Sequence, residues 1–235
     1  MLVRSVRTRV FKEGENLERF IVAHIPKIED GAVLVVTSKI VALSEKRTVR
    51  VTERRTKESL IREESELAIP TKYAWLTVKD GTVMATAGID ESNANGKLIL
   101  LPKDSFTAAA RLRSLLITKY KVKRLGVLIT DSRVLPLRSG VTGVALGYAG
   151  FKGLVDYRGK KDIFGRALKM TQVNAADALA TAAVYLMGEG NEQCPLAVIE
   201  DAPVTFASRV RKNELRISIE DDLYRPLFDA LPNKS

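Results

Sequence analysis

A chain of 235 residues, 46% hydrophobic and 28% charged, can bury a substantial core and has the balance of an ordinary soluble globular protein. Its one cysteine, Cys194, excludes an internal disulfide; with no apolar run near the ~18 residues of a membrane span and no signal-peptide core after Met1, a cytoplasmic protein without a membrane partner is expected. The net charge of +10, from 38 Lys and Arg against 28 Asp and Glu, asks for anionic partners, either nucleic acid or small polyanionic substrates.

Glu15 to Ile25 reads as a first helix with Leu17, Phe20, Ile21 and His24 on one face, ended by Pro26. After Glu29-Asp30-Gly31, the run Ala32-Val33-Leu34-Val35-Val36 predicts a buried strand leading straight into Thr37-Ser38-Lys39. Glu53 to Glu66 carries opposite charges at helical spacing and predicts a solvated helix. Trp75 to Ala87 predicts two short strands about Lys79-Asp80-Gly81, the second delivering Gly88-Ile89-Asp90-Glu91-Ser92-Asn93. The apolar run Leu98 to Leu101 stops at Pro102, and Ser105 or Thr107 caps a helix to about Tyr120. Leu125 to Ile129 is another buried strand, ending at Thr130-Asp131-Ser132. Glycines at 140, 143, 147, 150 and 153 predict a bent strand or loop with close backbone approach. Asn174 to Met187, rich in alanine and leucine, is a helix closed by Gly188-Glu189-Gly190-Asn191. Leu196 to Ile199 is the last buried strand, and the tail after Arg209 carries no readable pattern.

Several chemistries drop out. The basic residues are dispersed and few aromatics stand among them, which disfavours nucleic acid. Neither a Gly-x-x-x-x-Gly-Lys-Ser/Thr phosphate loop nor a Gly-x-Gly-x-x-Gly fingerprint is present. His24 and Cys194 alone cannot assemble a zinc site; His24 on an apolar helical face reads as a packing residue, and Cys194 has no partner histidine to activate it. What remains is a repeated pattern: three apolar strands ending in Thr37-Ser38-Lys39, Asp90-Glu91-Ser92-Asn93 and Thr130-Asp131-Ser132. Any one such end is ordinary turn chemistry. Together they would supply carboxylates and hydroxyls for Mg²⁺ or Mn²⁺, an amide for orientation and a lysine for phosphate. Glu189, with glycine on both sides, is either a turn after a helix end or a place where backbone N–H groups approach a phosphate. The charged stretch Asp156 to Asp162 is either a solvated loop or a cradle for an anion.

In order along the chain, Thr37-Ser38-Lys39-Ile40-Val41, Gly88-Ile89-Asp90-Glu91-Ser92-Asn93, Leu100-Leu101-Pro102, Thr130-Asp131-Ser132, Asp156-Tyr157-Arg158-Gly159-Lys160-Lys161-Asp162 and Met187-Gly188-Glu189-Gly190 resemble the F420-0:γ-glutamyl ligases, from about Phe11 to Ala202. The resemblance implies a homodimeric α+β protein of mixed sheets with flanking helices, one ligase domain over 1–235 built of two intimately associated subdomains. It implies GTP as co-substrate and Mn²⁺ or Mg²⁺ as cofactor. The reaction would join the amine of L-glutamate to a carboxyl of the deazaflavin precursor of coenzyme F420 through an acyl phosphate. Carried over residue by residue, Asp90, Asp131, Ser132 and Glu189 look like the metal site, the three carboxylates within a few ångströms of one another in one chain or across a dimer interface. Ser38, Lys39 and Asn93 look like nucleotide contacts, as does the segment with Met187, Gly188, Gly190 and Asn191. Such chemistry needs no protein nucleophile, in keeping with the missing triad, and its substrates are anions, in keeping with the positive charge.

The sequence also departs from the family pattern. Leucine stands at position 43 where a nucleotide-contacting lysine is expected, with Lys46 as a substitute. Asp131-Ser132-Arg133-Val134-Leu135-Pro136 loses a glycine and relocates an arginine, and Gln193 replaces a glycine beside Cys194. These changes leave open GTP against ATP, a folate or other acidic acceptor, and a non-catalytic relative that binds nucleic acid.

Overall fold

A computed structural model describes residues 1–229. The strands are β1 (Leu2–Val6), β2 (Ala32–Thr37), β3 (Thr48–Val49), β4 (Leu67–Pro70), β5 (Trp75–Lys79), β6 (Thr82–Ala85), β7 (Leu98–Ile99), β8 (Leu125–Val134), β9 (Val141–Ala149), β10 (Leu154–Asp156), β11 (Gln172–Asn174) and β12 (Leu196–Glu200). The helices are α1 (Leu17–His24), α2 (Ser38–Ser44), α3 (Lys57–Glu63), α4 (Ser105–Tyr120), α5 (Ala175–Met187) and α6 (Arg225–Asp229). Five strands form a mixed sheet in the order β1-β12-β2-β8-β9, in which only β2 and β8 run parallel.

The sheet is a middle layer, and the alternation of β2 shows why. Leu34 and Val36 pack with Phe20 and Ile21 of α1 and Leu112 and Leu116 of α4. Val33 and Val35 point the other way, onto Ala176, Leu179, Ala180 and Ala183 of α5. A central strand apolar on both faces therefore reads as a continuous run. Helices reach β9 closely because it carries glycine at the crossings: a Cβ on Gly143 would lie 2.5 Å from the Ala180 carbonyl oxygen, and one on Gly147 would lie 2.4 Å from Ser105 of α4. These residues are four apart yet face opposite layers. The cause is a bulge: Ile129 pairs with Gly147 and Thr130 with Ala145, so Leu146 is extra and the pleat reverses.

Beside this sheet stands a smaller antiparallel one, β4-β5-β6, with two-stranded pairs β3-β7 and β10-β11. The mixture of strands and helices is the α+β organisation expected from the sequence. Several boundaries differ. Ser38 opens α2, so Thr37-Ser38-Lys39 is a strand-to-helix junction and not a loop. β8 continues through Asp131 and Ser132 to Val134 because β9 pairs with it there. β6 stops at Ala85, and Asp90 follows a separate turn instead of ending that strand. Only Lys57–Glu63 of the charged stretch is helical, capped by Thr56; the following Leu67–Pro70 is drawn into pairing with β5. Asp104, not Ser105 or Thr107, caps α4 by accepting from the Thr107 N–H. The unreadable tail holds a short turn at Ile219–Asp221 and α6.

Candidate active site

A cleft of about 630 Å³ opens where the C-terminal ends of β2 and β8 meet the turn before Asp90 and the loop after α5. Of the residues singled out from sequence, Ser38, Lys39, Asp90, Asn93, Asp131, Ser132, Met187, Gly188, Glu189, Gly190 and Asn191 all line it. The parallel pair explains the first wall. Thr37 lies beside Thr130 in register, so residues leaving β2 and continuing β8 emerge together. The Ser38 hydroxyl reaches Asp131 Oδ1 at 3.4 Å, and Ser132 donates to Glu189 Oε1 at 2.5 Å.

The second wall carries Asp90. Its backbone exchanges two hydrogen bonds with Ile99 (2.9 and 2.8 Å), which leaves the side chain free to face the cleft. Lys39 Nζ sits 2.6 Å from Asp90 Oδ2 and donates to the Ser92 hydroxyl at 2.9 Å, tying the two walls together. Burial pushes the Asp90 carboxyl up, but the Lys39 ammonium and the Ser92 donors outweigh it and hold the group below the usual carboxylate range. Asp131 goes the other way. Burial raises it, the neighbouring Asp90 charge adds to the rise, and Arg133 and the Ser132 N–H only partly oppose it.

The chemistry of these groups suits a hard divalent cation. All donors are oxygens, Asp90 and Asp131 are close enough to feel each other's charge, and Thr130 Oγ1 is buried with no hydrogen-bond partner. Mg²⁺ and Mn²⁺ commonly take one or two carboxylates and complete their shell with water and substrate phosphate. Within one chain, no three His, Cys, Asp or Glu among the described residues stand close enough to share an ion. Glu189 is held by Ser132 instead.

Other placements sharpen or revise the sequence reading. Leu43 lines the cleft and packs on the core, whereas Lys46 is not among the lining residues and lies against Gly14, so it does not take over the vacated lysine position. Gly188 ends α5 at φ +80°, and a Cβ there would lie 2.3 Å from the Glu192 carboxyl carbon. The Gly190 N–H, which the glycines free for an anion, is taken by Glu192 at 2.8 Å. The stretch Asp156 to Asp162 lies outside the cleft, with Arg158 paired to Asp156. His24 is a packing residue against Phe20, its Nδ1 2.8 Å from the Phe20 carbonyl oxygen. Residues the sequence did not single out also line the cleft: Thr8, Arg9 and Phe11 from the N-terminal segment, Asn95, and Glu192. Arg9 was visible only as scattered positive charge.

The family described as F420-0:Gamma-glutamyl ligase matches residues 5–201. The coenzyme F420:L-glutamate ligase of Methanocaldococcus jannaschii is 33% identical over 235 residues, covering 92% of this chain and 93% of that protein. That of Archaeoglobus fulgidus is 34% identical over 234 residues, 92% of each. With the enzyme of the same name from Methanococcus maripaludis, identity is 43% over 147 residues, or 63% of this chain and 58% of that protein. No helix among the described residues is long and apolar enough to cross a membrane.

Proposed function

The chain belongs to the F420-0:Gamma-glutamyl ligase family, and from that premise we propose that it joins L-glutamate to the carboxyl of a coenzyme F420 precursor at the cost of GTP. The observation that carries the reading is the gathering of oxygen donors, a lysine and three asparagines around one cleft, in the size range of small-molecule sites. A carboxylate is a poor acyl donor. Transfer of the γ-phosphoryl group breaks the bond from that phosphorus to its bridging oxygen, releases GDP and forms a mixed carboxylic–phosphoric anhydride. The glutamate amine then attacks the acyl carbon, phosphate leaves with the electron pair, and the nitrogen loses its proton. Positioning and charge compensation do most of this work, and no protein nucleophile is needed.

Lys39 is the group on this chain that offsets phosphate charge, moving from Asp90 to the nucleotide. Ser38 and Asn93 orient the nucleotide, with the Met187 to Asn191 segment behind it. Asp90, Asp131 and Ser132 would hold Mn²⁺ or Mg²⁺, with Glu189 acting through Ser132; the ion would neutralise phosphate oxygens. Apolar residues exposed at the β8–β9 hairpin, Val134, Leu135, Leu137 and Val141, favour a second copy of the chain as partner, giving a homodimer. Light scattering during size exclusion reads that state directly.

The activity test incubates purified protein with Mn²⁺, glutamate, GTP or ATP, and either the deazaflavin precursor or a folate. GTP-dependent GDP release matched to gain of one glutamyl unit by the deazaflavin is the expected result. Glutamylation of the folate alone would reassign the acceptor and keep the reaction. Turnover with neither acceptor, together with salt-sensitive RNA binding, would overturn the proposal.

A further inference from the structure

We propose that Thr77 is a positioning residue of this cleft: its hydroxyl clamps a left-handed turn that aims Asp90 into the site. The turn is Thr86-Ala87-Gly88, with φ of 55°, 54° and 69° in succession. Left-handed backbone is unfavourable for L-residues, more so for β-branched threonine, and rarely runs beyond a single residue. Such a turn persists only where its surroundings over-determine it. One local bond closes it, from the Ile89 N–H to the Thr86 carbonyl oxygen at 2.9 Å.

The rest of the restraint converges on Thr77. This residue of β5 is fully buried, as is Ala87. Its oxygen accepts from the Ala87 N–H at 2.9 Å, and its hydroxyl donates to the Met84 carbonyl oxygen at 2.7 Å. One atom therefore ties the middle of the turn to the strand that precedes it. From the opposite side Gly88 packs on Leu101 so closely that a Cβ would lie 2.7 Å from it. Two residues beyond, Asp90 is locked to Ile99 and its carboxylate faces Lys39. Without the Thr77 oxygen, the Ala87 N–H becomes a buried donor with no partner. The turn then relaxes towards right-handed backbone, and the Asp90 carboxylate moves with it.

The inference rests on the reading of Asp90 as a cation ligand, so the experiment separates the two. Thr77→Val keeps the shape and removes the acceptor; Thr77→Ser keeps the acceptor; Asp90→Asn tests the ligand itself. Each is followed by amide hydrogen exchange at Ala87 and Ile89, Mn²⁺ titration by electron paramagnetic resonance without substrate, and kcat and KM of the holoenzyme. Thr77→Val should speed exchange at both amides at least about tenfold, since exchange reports local opening. It should weaken Mn²⁺ binding about tenfold and lower kcat more than the KM for glutamate, as expected when support behind a ligand is lost. Thr77→Ser should restore all three to within about twofold of the parent. Unchanged exchange in Thr77→Val, or equal damage by serine and valine, would overturn the clamp. Faster exchange in Thr77→Val with Mn²⁺ affinity unaltered there and in Asp90→Asn would overturn the cation reading and leave the clamp standing.

Discussion

The two walls of the cleft are built on different principles. Asp131 and Ser132 ride on β8, whose residues Val127 to Ile129 are fully buried between helices on both faces. Asp90 hangs from the small β4-β5-β6 sheet, where only Thr77 and Met84 are buried. That sheet is joined to the rest by a modest apolar cluster around Leu60, Ile61 and Ile89, by buried Arg133 of β8 donating to the Val83 carbonyl oxygen at 3.1 Å, and by a half-buried ionic knot. In the knot, Glu64 accepts from Arg47 at 2.8 Å and from Lys79 at 2.6 Å. Burial of apolar surface is non-directional and stiff when dense, while a polar knot is directional and separable. One wall is a fixed reference, and the other can adjust to a substrate.

Substitutions on each side break this comparison in distinct ways. Leu128→Ala removes a fully buried side chain between the sheet and α5, and should destabilise the whole protein by about 2–5 kcal/mol in urea titration. A loss confined to the cleft would mean the main sheet is not the common support. Lys39→Ala unties the walls and removes the phosphate-facing charge. It should weaken GTP binding with Mn²⁺ by about 1.5–3 kcal/mol in calorimetry, with little change in unliganded melting temperature. Equal affinities would place the phosphates elsewhere.

Glu64→Gln loosens the small sheet alone, by about 1–2 kcal/mol given partial exposure. Burial raises the Glu64 carboxyl, yet Lys79 and Arg47 prevail and hold it below its ordinary value of 4.5. A depressed folded-state value stabilises above the unfolded one and is lost as pH falls through the folded one. The gap between Glu64→Gln and the parent should therefore be full near neutrality and close below pH 4.5. A gap independent of pH would show that packing, not charge, holds the knot.

The same contrast explains what could be read from residues alone. β2 and the first half of β8 are legible because burial on both faces leaves an uninterrupted apolar run. Beyond Ile129 the strand turns polar although Thr130 and Arg133 are still buried, so its continuation to Val134 is specified by β9, a partner whose glycines look like loop. The left-handed turn before Asp90 was invisible because Thr86 and Ala87 adopt a backbone that their side chains disfavour. Glu192, sitting on Gly190, is likewise a product of chain path rather than spacing. Functional types in order were readable; the devices that hold them were not.

The smallest effect expected is at Asp104, on the rigid side. Its carboxylate caps α4 through the Thr107 N–H at 2.9 Å and pairs with Lys212 of the C-terminal segment. Burial is the largest single influence and raises the group, but Lys212 and Thr107 together outweigh it and pull it down to about 2. Asparagine caps nearly as well as aspartate, so Asp104→Asn removes the charge and keeps the cap. Stability carried by a depressed carboxylate is complete above its ordinary 3.8 and drains away as pH falls towards 2. At pH 7 the variant should lose less than about 1 kcal/mol, because the pair is well solvated, and the difference should shrink as pH falls through about 2 and vanish below it. Salt should shrink the pH 7 difference further. Asp104→Ala should add about 1 kcal/mol at every pH. Were Asp104→Asn to cost as much as Glu64→Gln at neutral pH, the ionic contacts of the two regions would be equivalent and the distinction drawn between the walls would rest on their apolar packing alone.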